Sequence, residues 1–113
     1  MDQLKRYREI VERILQAHSD LMNSQPTPGE EVDCVFDEKR DQYLLLKYGW
    51  PRGKPAHYVK LHVLLLKGKI WIEADLTENG LANELVSAGV PKEDIVLAFN
   101  APDMRYLIEF AAA

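Results

Sequence analysis

The sequence is poor in cysteine and contains no long apolar run, and each shortage excludes a class of protein. Cys34 is the only cysteine among 113 residues, so no internal disulfide can form and no thiolate cluster can hold zinc. No apolar stretch approaches the ~20 residues of a membrane-spanning helix, and the N-terminus lacks the apolar core of a signal peptide. We therefore expect a cytoplasmic protein that does not contact the membrane and folds around its own hydrophobic core.

Acidic residues are missing from the middle of the chain, although the net charge is −4. Residues 42–72 contain six basic residues and no acidic one, so all eighteen acidic residues lie outside this range. The six are Lys47, Arg52, Lys54, Lys60, Lys67 and Lys69. Such a positive centre can steer a negative partner towards the protein. Lysines on a sheet can equally keep the surface soluble and protect its edges.

The length fits a single domain over residues 1–113, which begins with a helix. Apolar residues recur at three- and four-residue steps over residues 2–22, and this spacing predicts an amphipathic helix that Asp2 can cap. His18 lies on the apolar stripe, where a packed and hydrogen-bonded imidazole is expected. Two prolines and a glycine in residues 25–29 should end the helix.

Four strands are predicted next, over residues 31–37, 42–50, 58–66 and 69–74. Their connections are too short for parallel crossovers, so the strands should form an antiparallel meander. Cys34 lies in the first of them, in an alternating run with Val32 and Phe36 that favours a buried structural role.

A turn at Lys67 and Gly68 would fix the register of the last hairpin. The predicted apolar pairs are Leu65 with Ile70, Val63 with Ile72, and Leu61 with Ala74. The predicted pairs on the other face are Leu64 with Trp71, His62 with Glu73, and Lys60 with Asp75. The last two pairs are complementary in charge, as expected for a partly wet face.

The remainder predicts a helix over residues 80–88, capped by Thr77 or Asn79, and a fifth strand over residues 95–99. A short C-terminal helix should then dock on the core through its apolar side chains, which are Met104, Tyr106, Leu107 and Phe110. The predicted fold class is therefore α+β, with an N-terminal helix packed on an antiparallel four-stranded meander, followed by a helix, a fifth strand and a short C-terminal helix.

The sequence contains no credible catalytic set. Phosphate-binding loops and nucleophile-elbow motifs are absent. His62, Glu73 and Asp75 could in principle bind a metal or transfer protons, but they fit a surface salt-bridge pattern better. We expect no catalytic residues, no bound metal and no cofactor.

The most suggestive segment is 47–60, where basic and aromatic residues alternate. This composition suits phosphate contacts with base stacking, and it also suits the centre of a protein interface. The candidate binding residues are Trp50, Arg52, Lys54, His57, Tyr58, Lys60 and Trp71. A homodimer that hides Tyr58, Leu64 and Trp71 on one sheet face is a further expectation.

The order of these features resembles the XisI-like family, the fdxN-element excision controlling factors of cyanobacteria. The matching residues are Met1–Leu4, Tyr7–Val11, Phe36-Asp37, Arg40-Asp41, Tyr43, Gly49-Trp50, Gly68–Glu73, Asp75, Thr77-Glu78, Gly80, Ala82–Leu85, Gly89–Phe99, Arg105 and Phe110-Ala111. They cover nearly the whole chain. Ala98 stands where many relatives have glycine.

The resemblance implies an accessory factor for site-specific DNA excision during heterocyst development. Such factors act beside a recombinase and an XisH-like protein, whose own fold resembles nucleases. No catalytic residues are attributed to the XisI-like side. The expected function is therefore non-catalytic control by binding an XisH-like partner, with DNA reached through that complex. The alternative is direct DNA binding through the basic segment 47–69.

Overall fold

A computed structural model describes residues 2–113 and places one long helix against a five-stranded sheet. The elements are α1 (Gln3–Ser24), β1 (Glu30–Asp37), β2 (Gln42–Gly49), β3 (Ala56–Leu66), β4 (Lys69–Asp75), α2 (Leu81–Ser87) and β5 (Ile95–Leu97). Three 3-10 helices cover Pro51–Gly53, Lys92–Asp94 and Pro102–Leu107. The sheet order is β1-β2-β3-β4-β5, with β1 to β4 antiparallel and β5 parallel to β4. The predicted α+β class is confirmed, and the sheet is mixed.

Helix α1 forms as the apolar spacing predicts. The side chain of Asp2 accepts a hydrogen bond from the amide of Leu4 at 3.1 Å and so caps the helix. The helix ends at Ser24, two residues beyond the predicted end. Its buried face includes Tyr7, Val11 and Leu15, which pack on the sheet.

The hydrophobic core fills the space between one face of the sheet and the two α-helices. Its largest fully buried members are Tyr7, Tyr43, Leu15, Leu45, Leu61, Ile70, Ile72, Leu81, Leu85, Ile95, Val11 and Val63. Inward residues alternate along β2, β3 and β4, as a half-buried sheet requires. On the opposite face, the 3-10 helix Pro102–Leu107 reaches the sheet through Arg105, whose guanidinium group lies over the ring of Trp71.

Strand β3 begins at Ala56, two residues before the predicted start, and β2 ends at Gly49 rather than Trp50. The pairing of β2 with β3 extends to Gly49 opposite Ala56 and Tyr48 opposite His57. Ladder hydrogen bonds favour extending both strands as far as the backbone allows. The connecting loop therefore covers residues 50–55 only.

The β3–β4 register is correct near the turn and wrong beyond it. Val63 lies opposite Ile72 and Leu64 opposite Trp71, as predicted. A bulge then follows, so that His62 lies opposite Ala74 and Leu61 opposite Asp75. One extra residue in one strand shifts every later pair by one position, which breaks the predicted pairs beyond it.

Asp75, the last residue of β4, accepts hydrogen bonds from the start of α2 and lies opposite Leu61, not Lys60. Its carboxylate accepts from the amides of Thr77 at 2.9 Å and Leu81 at 2.6 Å. The predicted caps Thr77 and Asn79 were wrong, because the N-cap position is Gly80, which offers no side chain. A carboxylate six residues upstream satisfies the first free amide of the helix.

The C-terminal segment docks less deeply than predicted. Met104, Tyr106 and Leu107 are more than half exposed, whereas Phe110 packs against the core. Ala111 forms a bridge to Val96, and its amide donates to the carbonyl of Ile95 at 2.9 Å. Backbone pairing with β5 therefore holds this segment, in addition to the packing of Phe110.

Candidate functional site

The seven candidate residues lie in three separate places. Trp50, Arg52, Lys54 and His57 lie at or beside the β2–β3 loop. Tyr58 and Lys60 lie on the side of the sheet that faces α1. Trp71 lies on β4 opposite Leu64. At ~3.3 Å per residue of strand, Leu64 is more than 20 Å along β3 from the loop.

A bulge in β3 moves Tyr58 away from the face predicted for it. Leu45 lies opposite Leu61, but Leu46 lies opposite Val59, so Lys60 is the extra residue. Tyr58 therefore lies opposite Lys47, whose ammonium group is 6.0 Å from the centre of the Tyr58 ring. Lys47 lines a pocket with residues of α1, which identifies the α1 side. The predicted grouping of Tyr58 with Leu64 and Trp71 was wrong, because the bulge reverses the alternation.

We call the residues Tyr48, Trp50, Arg52, Lys54 and His57 the Trp50 surface. Trp50 is 66% exposed, and Arg52, Lys54 and His57 are exposed as well. A shallow pocket beside Trp50 is lined by Tyr48, Pro55 and His57 among others. The exposed indole is not part of the hydrophobic core, so packing does not explain why a tryptophan stands at this position.

The backbone under the Trp50 surface is tightly held. The amide of Trp50 donates to the carbonyl of Gly29 at 2.9 Å. A Cβ atom on Gly49 would lie 2.2 Å from that same oxygen, so only glycine fits there. The loop continues with Arg52 in the left-handed region at φ 56°, and the amide of Gly53 donates to the carbonyl of Trp50 at 3.2 Å.

Acidic side chains flank the Trp50 surface on β1. Glu30 pairs with Lys47 at 2.9 Å, and this carboxylate raises the pKa of Lys47. The hydroxyl of Tyr48 donates to Asp33 at 2.5 Å, and this acceptor raises the pKa of the tyrosine. Lys47 is thereby neutralised by its partner, whereas Arg52 and Lys54 form no ion pair with any residue in the range 2–113.

The basic segment does not form one continuous surface. Arg52 and Lys54 precede β3, while Lys67 and Lys69 follow it. An eleven-residue strand separates the two pairs by about 33 Å. Lys60 lies between them beside a cleft that also contains the carboxylates of Glu78 and Glu84.

That cleft, between the second half of α1 and residues 76–84, was not found by sequence reasoning. His18 Nε2 lies 2.7 Å from Glu84 Oε2 and joins the two α-helices, so the predicted hydrogen-bonded histidine is confirmed. Lys60 and Leu76 also line the cleft. No local pattern could have revealed it, because its walls are far apart in the sequence.

Trp71 is covered by the chain itself. The guanidinium carbon of Arg105 lies 5.7 Å from the centre of the Trp71 ring, and the indole donates to the carbonyl of Leu66 at 3.1 Å. Arg105 also donates to the carbonyls of Ala98 and Asn100, each at 3.1 Å. Arg105 thus braces the C-terminal segment over the sheet.

The group of His62, Glu73 and Asp75 does not assemble. His62 Nε2 bonds Gln42 Oε1 at 2.8 Å instead of Glu73, and Asp75 is occupied by the start of α2. Within residues 2–113, no cluster of three or more His, Cys, Asp or Glu side chains could hold a metal ion. None of the described helices has the length and apolar character that crossing a membrane requires.

Comparison with known proteins gives one family. The sequence model of the family described as XisI protein matches residues 1–112. A crystal structure of a XisI-like protein from Anabaena variabilis is 32% identical, covers 97% of this chain and 99% of its own, and superposes with a TM-score of 0.90. The fdxN element excision controlling factor XisI from Anabaena variabilis is 40% identical, with 99% and 100% covered and a TM-score of 0.86. A search of curated proteins found no significant match.

Proposed function

The chain belongs to the XisI protein family, and on that premise we propose that it is a non-enzymatic controlling factor that acts by binding a partner protein. A similar structure is described as an fdxN element excision controlling factor, which supports a role in the control of DNA excision. The proposed partner is an XisH-like protein, as the resemblance in sequence implies. This role requires a cytoplasmic location.

The exposed indole of Trp50 carries the proposal. Tryptophan, tyrosine and arginine are enriched among the residues that contribute most to binding at protein interfaces. Trp50 projects from a backbone clamped to Gly29, so little conformational entropy would be lost when a partner covers the ring. Arg52 and Lys54 lie beside it and would meet an acidic rim on the partner.

A binding role also fits the way in which the polar side chains are used. His18 and Asp75 each hold one structural element against another, and His62 bonds the neighbouring strand. A catalytic group needs a free donor or acceptor directed at a substrate. We therefore propose that the surface serves recognition and that the chain carries out no chemistry of its own.

Co-expression with an XisH-like protein tests the proposal. The two proteins should co-purify at equal stoichiometry and remain associated in moderate salt. Trp50→Ala should weaken the complex at least about tenfold, which is the effect of losing one well-buried anchor. Tyr106→Ala is the matched control, because Tyr106 is 72% exposed on the C-terminal segment. No association of the wild-type pair, or equal losses in both variants, would contradict the proposal.

Direct DNA binding is the alternative function, and the separation of the basic residues weakens it. If DNA were bound through this surface, affinity would fall steeply with salt because each neutralised phosphate releases counterions. The double variant Arg52→Glu, Lys54→Glu should then abolish a gel shift by the isolated protein. We expect no salt-sensitive shift from the wild-type chain alone.

A further inference from the structure

The sheet face opposite α1 is apolar where solvent would favour polar residues. Strand pairing places Leu44 beside His62, Leu46 beside Val59, and Leu64 beside Trp71 on this face. In an antiparallel sheet with one wet face, these positions normally carry polar side chains. Val35 and Leu66, at the borders of the face, are each 44% exposed. We call this surface the open face.

Charges of opposite sign lie at two diagonal corners of the open face. Glu31 and Asp33 on β1 lie at the corner near Tyr48, because Glu31 pairs with Tyr48 and Asp33 with Leu46. Lys69, at the start of β4, and Arg105, over Trp71, lie at the opposite corner. The ammonium group of Lys69 also donates to the oxygen of Ala113, and Glu73 lies four residues further along β4.

We propose that the open face binds a second copy of this chain, face to face. The two-fold axis lies in the plane of the interface and is perpendicular to the diagonal that joins the two corners. Rotation about that axis brings the acidic corner of each copy over the basic corner of the other. Two equivalent sets of opposite charges then flank one shared apolar centre. An axis perpendicular to the strands would instead place β1 over β1 and set Asp33 of one copy near Asp33 of the other.

The size of the open face suits such a dimer. Strands β1 to β4, each about 4.8 Å wide and on average roughly eight residues long, form a face of roughly 19 by 26 Å. Two copies would bury roughly 1,000–1,200 Å² in total, which is at the lower end of stable protein interfaces. The central leucines interdigitate well in sheet-on-sheet packing, where faces lie ~10 Å apart. The Trp50 loop lies beyond the end of the face, so the dimer leaves the indole free for another partner.

Sedimentation equilibrium of the purified chain tests the proposal. The wild type should be a dimer at micromolar concentrations, and Leu46→Glu should raise the dissociation constant at least about a hundredfold by burying a charge in the interface. Leu21→Glu is the matched control, because Leu21 is 71% exposed on α1 and its replacement should leave dimerisation unchanged. Thermal unfolding of each variant shows whether the chain is still folded.

A charge exchange tests the orientation without touching the apolar centre. Asp33→Lys and Lys69→Glu should each weaken the dimer about tenfold, and the double variant should recover most of that loss. A monomeric wild type at about 100 μM, or equal dimerisation of Leu46→Glu and the wild type, would overturn the proposal. A double variant as weak as the sum of its single changes would overturn the diagonal arrangement.

Discussion

Replacement of Glu12 by glutamine should stabilise the protein above neutral pH and flatten the pH dependence of its stability. Glu12 lies on α1, and its Oε2 atom is buried without a hydrogen-bond partner in residues 2–113. Burial, and after it the neighbouring carboxyl of Glu38, raises the pKa of Glu12 from 4.5 to about 7. Arg8 acts in the opposite direction but does not outweigh them.

The direction of the effect follows from proton linkage. The folded state holds the Glu12 proton more tightly than the unfolded state, so the stability from this group is complete below about pH 4.5. That stability is lost as the pH rises through the folded pKa of about 7. The wild type should therefore lose stability from this group between about pH 5 and pH 8.

The difference in pKa corresponds to at most about 3.5 kcal/mol. Glu12 is partly exposed, and solvent screening reduces this value to about 1–2 kcal/mol. Glutamine keeps the shape of the protonated acid and can donate to Glu38, so it should recover that amount at about pH 8. For a domain of this size, the gain raises the melting temperature by roughly 4–8 °C.

Urea unfolding followed by circular dichroism, at a series of pH values between about 5 and 8, measures the effect. Glu78→Gln is the matched control, because Glu78 is exposed and is not among the groups that shift the pKa of Glu12. The control should follow the pH dependence of the wild type. If Glu12→Gln also follows the wild type at every pH, or if it destabilises the protein at about pH 8, the carboxyl of Glu12 is not the buried acid described above.

Three further outcomes can be measured on the isolated chain. Gly49→Ala should lower the free energy of unfolding by about 2–3 kcal/mol, since its Cβ would collide with the Gly29 carbonyl; an unchanged denaturation midpoint would contradict this close approach. Asp75→Ala should cost about 1–2 kcal/mol, because the amide of Leu81 loses its acceptor, and a thermal melt equal to that of the wild type would refute the cap. Burial raises the pKa of Cys34, so a thiol reagent should modify it at least about tenfold more slowly in the folded protein than in urea. Equal rates in both states would show that the thiol is accessible.

The parts of the fold that were predicted correctly depend on short stretches of chain. The apolar spacing of α1 and the cap at Asp2 are local, and the turn at Lys67 and Gly68 sets the first pairs of its hairpin. The bulges at Lys60 and Glu73 were not predicted, because the apolar alternation of the sequence continues through both positions although the strands change sides there. The position of a bulge depends on the hydrogen bonds that a strand forms with its neighbouring strands and loops. Those neighbours belong to other parts of the chain.

The candidate site shows the same division. Composition alone identified the aromatic and basic residues between 47 and 60 and the absence of acidic residues there. The bulge at Lys60 then placed Tyr58 on the α1 side of the sheet, away from Leu64 and Trp71, and the length of β3 separated Arg52 from Lys69. Arg105 was missed as the cover of Trp71, because no pattern links residues 34 positions apart.

The sequence by itself determined the class of the fold, the order of its elements and the inward face of most strands, because hydrophobic periodicity and turn residues act over a few positions. Only the tertiary structure decided which polar side chains have partners. Asp75 accepts from the first amide of α2, and His18 lies within hydrogen-bond distance of Glu84. Trp50 remains exposed, whereas Arg105 covers Trp71. These contacts form between elements that are far apart in the sequence and that the core brings together. The burial of apolar surface drives that assembly and is non-directional, so no local pattern specifies which polar side chains will meet.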